Sequence, residues 1–253
     1  MDTPPATDKL TLAAAVAFLA LLGAGAMIFL YAPMDALQGN VQRIFYFHVA
    51  SVIAAYFCFA AVLVGGVLYL WKRSPRADRI ARSAAPVGLL LTTVCLVMGS
   101  IWAKPIWGTY WTWDARLTST LVLWMVYAGY LLVRRLASDQ QSAARLAAVV
   151  GIVGFIDVPL VHVSVEWWRT IHPQPILDST QPNLPPQMTV TFLVTLAAIT
   201  LLAAVLVGAR YQIDAAREAL ATLRDELDET ERAAVPGAPV AASWPIEGQL
   251  RAN

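Results

Sequence analysis

Apolar positions along this chain gather into long continuous runs, broken by short polar stretches rather than alternating with them. Six runs, at roughly 10–31, 46–71, 83–103, 117–137, 146–166 and 188–209, reach the length of about 20 residues that a helix needs to cross a hydrocarbon core about 30 Å thick. They predict an all-α, polytopic bundle of six transmembrane helices over residues 1–212. The first run passes Ala24, Gly25 and Ala26 in the manner of a cleaved leader, yet stays apolar through Tyr31 with Lys9 alone as a cation ahead of it, so it reads as a retained anchor. After the sixth run the pattern changes. Ile213, Leu220 and Leu227 recur every seven residues with Leu223 between them, among many Asp, Glu and Arg, which predicts a separate amphipathic or coiled-coil helix over 213–233. Residues 234–253, with Pro236 and Pro239, read as a disordered Pro/Ala-rich tail.

Composition agrees with a chain solvated by lipid. Of 253 residues, 58% are hydrophobic and 14% charged, and the mean hydropathy is +0.59, outside the range of soluble globular proteins. The formal net charge of +1 advertises no nucleic acid, so charge carries information only loop by loop. Cys58 and Cys95 lie in apolar runs with no CxxC or CxxCH around either. They read as small core residues, and the chain offers no attachment site for a covalently bound c-type haem.

Basic residues set the expected sidedness. Lys72, Arg73, Arg76, Arg79 and Arg82 follow the second run, Arg134, Arg135 and Arg145 follow the fourth, and Lys9, Arg210 and Arg217 flank the ends. Only Arg43, Lys104, Arg116 and Arg169 fall on the other side. By the excess of cytoplasmic cations, both termini are expected in the cytoplasm and the 103–116 and 167–187 loops outside.

Depth then places the polar residues. His48 precedes Lys72 by 24 residues, roughly 36 Å of helix, and is expected at the outer interface. Arg116 precedes Arg134 by 18 residues, roughly 27 Å, which puts the end of the stretch Trp107–Asp114 at the same boundary. His172 follows in the next outer loop. Single tryptophans such as Trp102, Trp167 or Trp168 suit an interfacial aromatic belt. Trp107, Trp111 and Trp113, however, share one connection with Gly108 leaving room beside them, and three rigid apolar faces make a shelf for a flat ligand.

A pair of neutral imidazoles facing such a shelf suits haem iron, whose propionates call for cations such as Lys104, Arg116 or Arg169. The same histidines could equally be amphipathic surface residues. His162 and Asp157, near Pro159 in the fifth run, read as structural, as a polar cavity or an interhelical pair. Asp114, ahead of Ala115-Arg116-Leu117, reads as a helix N-cap.

WGTYWTWDARLTS, residues 107–119, resembles the WWD signature W-G-x-x-W-x-W-D of haem-handling proteins in cytochrome c maturation, and the continuation ARLTS is similar to the haem exporter protein C (CcmC) family. RIFYFHVAS at 43–51 and SVEWWRTIHPQP at 164–175 resemble that family's two histidine motifs. The resemblance covers residues 10 to about 210. It implies that His48 and His172 ligate the iron of haem b from opposite sides, with Trp107, Trp111, Trp113 and Asp114 forming the face on which the ring rests; Gly108, as room beside the shelf, and Arg116, as a propionate cation, complete the candidate site. It also implies a non-enzymatic carrier in the bacterial inner membrane, its haem site facing the periplasm. Haem would pass from it to the chaperone CcmE, beside the ABC-transporter subunits CcmA and CcmB and the small subunit CcmD. A haem lyase of the CcsA or CcmF type shares the WWD patch, but such proteins are usually longer and continue W-D-P, against Asp114-Ala115-Arg116 here. A permease subunit of a haem ABC transporter would show a polar track across the bilayer, whereas only Asp157 and His162 lie at any depth.

Overall fold

A computed structural model describes residues 6–137, 139–168, 170–172 and 184–234. Its elements are helices: α1 (Ala6–Ala26), running into a π-helical turn (Met27–Tyr31), a 3-10 turn (Asn40–Arg43), α2 (Ile44–Lys72), α3 (Pro75–Trp107), α4 (Ala115–Leu136), α5 (Gln140–Phe155), α6 (Asp157–Trp167) and α7 (Pro186–Ala234). Six helical segments are long and apolar enough to cross a membrane, one for each predicted run: Lys9–Tyr31, Asn40–Lys72, Pro75–Trp107, Ala115–Leu136, Gln140–Trp167 and Pro186–Thr230. Two compact units divide the chain after Gln212. In the second, Ile213, Leu220, Leu223 and Leu227 are all more than half exposed.

Local chemistry sets the breaks. Arg73 takes a left-handed conformation and closes α2 by donating its N–H to the Tyr69 carbonyl. Ser74 then caps α3, with Pro75 at the first helical position, where its missing N–H costs nothing. Asp139 caps α5 through the Ser142 N–H. The fifth span is two helices and not one. Pro159 has no N–H to give the Phe155 carbonyl, and α5 ends there, with α6 restarting at Asp157.

The first unit's core lies where α2, α3, α4 and α5 meet. Phe59 stacks on Tyr127 at a centroid distance of 3.7 Å, and the Tyr127 hydroxyl donates to the Gly151 carbonyl. Nearer the α2–α3 turn, Arg134 pairs with the buried Asp78 and lies against Tyr130. These contacts fix α3 and α4 against α2, so that the far ends of all three present the residues discussed next.

Candidate functional site

His48 sits on the second turn of α2, facing α3. Its Nδ1 lies 2.9 Å from the Cys95 carbonyl oxygen. A carbonyl only accepts, so Nδ1 carries the proton and Nε2 keeps a free lone pair. Three α3 residues at positions i, i+4 and i+7 make the socket: Cys95 supplies the acceptor, Gly99 the space and Trp102 an edge-on ring 5.9 Å away. A methyl group on Gly99 would stand 2.7 Å from the His48 Cε1 and 3.1 Å from Nδ1, so no larger residue fits beside this ring. Trp102 in turn donates its indole N–H to Gln38.

Past Trp107, α3 stops at Gly108, whose φ of +76° is the left-handed conformation that favours glycine. Lys104 folds back onto this end, donating to the Gly108 carbonyl at 2.9 Å and lying over the Tyr110 ring. It caps this helix end. The connection from Gly108 to Asp114 carries the aromatic residues. Trp111 and Trp113 meet edge to face at 5.7 Å, and Trp113 is 76% exposed, far outside the range of a core tryptophan. The Trp111 indole N–H, by contrast, is buried with no hydrogen-bond partner among the described residues.

Asp114 caps α4 as the sequence indicates, Oδ1 accepting from the Leu117 N–H at 2.9 Å. Its second oxygen does something the sequence does not disclose. Oδ2 accepts from the Thr170 hydroxyl at 2.6 Å and from His172 Nδ1 at 3.0 Å, while the Thr170 oxygen accepts the His172 backbone N–H. Burial alone would raise the Asp114 carboxyl, but the bonds from Thr170, His172 and Leu117 outweigh it and hold the group below the ordinary carboxylate range. Burial lowers His172 below its usual value of 6.5 despite the pull of Asp114, so the ring is neutral at pH 7. As with His48, Nδ1 is bound to an acceptor and Nε2 is left open. Trp107 packs edge-on against His172, with centroids 5.0 Å apart.

Arg116 lies within electrostatic range of both imidazoles. Its Nη2 donates to the His162 carbonyl at 2.9 Å, while its Nε–H is buried without a partner among the described residues. His162 thus meets Arg116 through its backbone. The structure gathers Trp107, Asp114, Arg116 and His172 around one α4 N-terminus and sets His48 in the adjoining α2–α3 socket. Arg169 lies outside the described residues. Gly99, Trp102, the Cys95 carbonyl and Thr170 are the contributors that sequence reasoning missed. The i, i+4, i+7 spacing puts Cys95, Gly99 and Trp102 on one face of α3, but neither that spacing nor Thr170 points to a histidine in the sequence.

The model of the Heme exporter protein C (CcmC) family matches residues 5–225 of this chain. The chain belongs to that family. It is 38% identical over 189 residues to Heme exporter protein C of Bradyrhizobium diazoefficiens, covering 74% of this chain and 72% of the relative. With Heme exporter protein C of Escherichia coli K12 it shares 40% identity over 142 residues, 56% of this chain and 58% of that one. A putative cytochrome c biosynthesis ccmC-like mitochondrial protein of Marchantia polymorpha is 38% identical over 141 residues, 56% of this chain and 59% of the relative. Membership of the Heme exporter protein C family makes this a multi-pass membrane protein of cytochrome c maturation.

Proposed function

We propose that the chain binds haem b on the Trp107–Trp113 shelf at the periplasmic face of the inner membrane, both termini lying in the cytoplasm, and presents it to the chaperone CcmE. His48 and His172 bind the iron, one from each side. The observation that carries this reading is that both Nδ1 atoms are held by acceptors, so both rings offer Nε2. Such outer bonds fix the orientation of metal-binding histidines and raise their basicity.

Further features support haem over a bare ion. Among the described residues no group of three or more His, Cys, Asp and Glu is arranged to hold a metal. Two imidazoles alone suit an iron that brings its own four equatorial nitrogens. The Arg116 Nε–H and the Trp111 indole N–H, buried and without a partner among the described residues, suit the acceptor oxygens of propionate carboxylates. An exposed Trp113 suits cargo that must leave again, and relatives named as exporters support delivery rather than bond-making chemistry. CcmA, CcmB and CcmD are the partners expected beside it.

Purified protein is expected to carry a haem Soret band that His48→Ala or His172→Ala shifts or abolishes and His162→Ala leaves alone. Unchanged spectra in the first two variants would falsify the ligand assignment. Transfer of haem to CcmE, rather than to an apocytochrome, distinguishes a carrier from a lyase.

A further inference from the structure

On the face formed by α4 and α6 a notch of about 260 Å³ opens between Thr118, Ser119 and Val122 on one helix and Asp157, Leu160 and Ser164 on the other. Two of its polar atoms, Asp157 Oδ2 and Thr118 Oγ1, are buried with no hydrogen-bond partner among the described residues. The serine hydroxyls are spent on carbonyls of their own helices. Around the notch the surface is apolar and outward-facing: Val122 is 44% exposed, Leu160 36%, and the nearby Val153 and Ile156 58% and 67%. Both helices belong to segments of membrane-crossing length. The α5–α6 break therefore sets a carboxyl group at the wall of this notch, its Oδ2 without a hydrogen-bond partner among the described residues.

A carboxyl group in that position is costly unless something pairs with it. Lipid tails offer no donor, and a symmetric contact with a second copy would set Asp157 against Asp157. The volume is below the roughly 300–1,000 Å³ of small-molecule pockets, too small for a porphyrin but sufficient for one long side chain. Small residues flanking a polar group are what close helix packing in membranes uses. We propose that this notch receives a transmembrane helix of an integral partner, which inserts one Arg or Lys side chain between α4 and α6 to bond Asp157 and Thr118.

The choice of partners for a test rests on the functional reading above. The tagged full chain is co-expressed with CcmA, CcmB and CcmD, carrying a photo-crosslinking amino acid in place of Leu160, or of Phe18 on α1 as a control. The expected result is a light-dependent adduct from position 160, and not from 18, to CcmB or CcmD. Asp157→Leu or Thr118→Val should lower its yield about three- to thirtyfold, the range for one interhelical hydrogen bond. The Soret band and the size-exclusion profile should stay those of the parent protein, which shows that the variants fold. Adducts from position 160 only to lipid or to a second copy, or an undiminished yield in both variants, overturn the proposal. Absence of the Soret band from the parent protein would count against the haem reading and leave the crosslinking result to be judged by itself.

Discussion

Replacing Asp114 by Asn separates its two duties. Asn is as good an N-cap as Asp, so the Oδ1 bond to the Leu117 N–H survives and α4 still starts at Ala115. At the other oxygen, an acceptor of two hydrogen bonds becomes an NH₂ donor facing the Thr170 hydroxyl and the His172 Nδ1–H. His172 then relieves the clash by carrying its proton on Nε2, the atom that the proposed ligation uses. Removal of an outer-shell partner of a metal-bound histidine typically costs 10–100-fold in affinity. That corresponds to about 1.4–2.7 kcal/mol. Thr170→Val removes the bond to the same oxygen and the one that the Thr170 oxygen accepts from the His172 backbone N–H, but leaves the carboxylate and the His172 tautomer intact, so its cost should fall mainly on folding, about 2 kcal/mol, and less on ligation. The assay is a haem titration followed by absorbance on both variants and the parent, repeated with added imidazole. Asp114→Asn should bind 10–100-fold more weakly, with imidazole restoring the parent spectrum by filling the empty position. An Asp114→Asn protein with parental affinity and spectrum refutes the assignment, as does a Thr170→Val protein that loses as much.

Gly99→Ala should displace the His48 ring, since the added carbon would lie 2.7 Å from Cε1 and something must shift, and the Soret band should change as in His48→Ala although neither proposed ligand has been removed. Arg116→Ala should weaken haem about 10–100-fold through the lost charged hydrogen bond while barely affecting haem dimethyl ester; equal losses for both would exclude Arg116 as a propionate partner. Because the His172 pKa is lowered in the fold, its ring stays neutral and available below pH 6.5 while the unfolded chain takes up a proton; the Soret band should therefore survive acidification through 6.5, and loss at or above that pH contradicts the structure. The Asp114 carboxyl is depressed instead, so its stabilisation is complete above the unfolded value of 3.8 and lost as pH falls through its lower folded value. Thermal melts of Asp114→Asn should lack that acid limb.

The six spans were legible because a lipid-crossing helix must be continuously apolar over its whole length, and each predicted run has its helix. The Trp-rich connection and the Asp114 cap were legible because they are local. What escaped the sequence is tertiary. Thr170 meets Asp114 across 56 positions, and a carboxylate that caps one helix gives no sign of the oxygen it turns elsewhere. Gly99 looks like any glycine in an apolar run until His48 is packed against it. Lys104 stood out on charge alone, whereas its bond to the Gly108 carbonyl at its own helix end gave no sign in the sequence. Pro159 hinted at a bend, whereas the outcome is two helices with Asp157 at the joint.

One carboxylate holds both the first turn of α4 and the imidazole of His172. The helix start and the ring are consequently a single mechanical part: an axial slide of α4 carries Asp114 with it, and the His172 imidazole must follow or lose its bond.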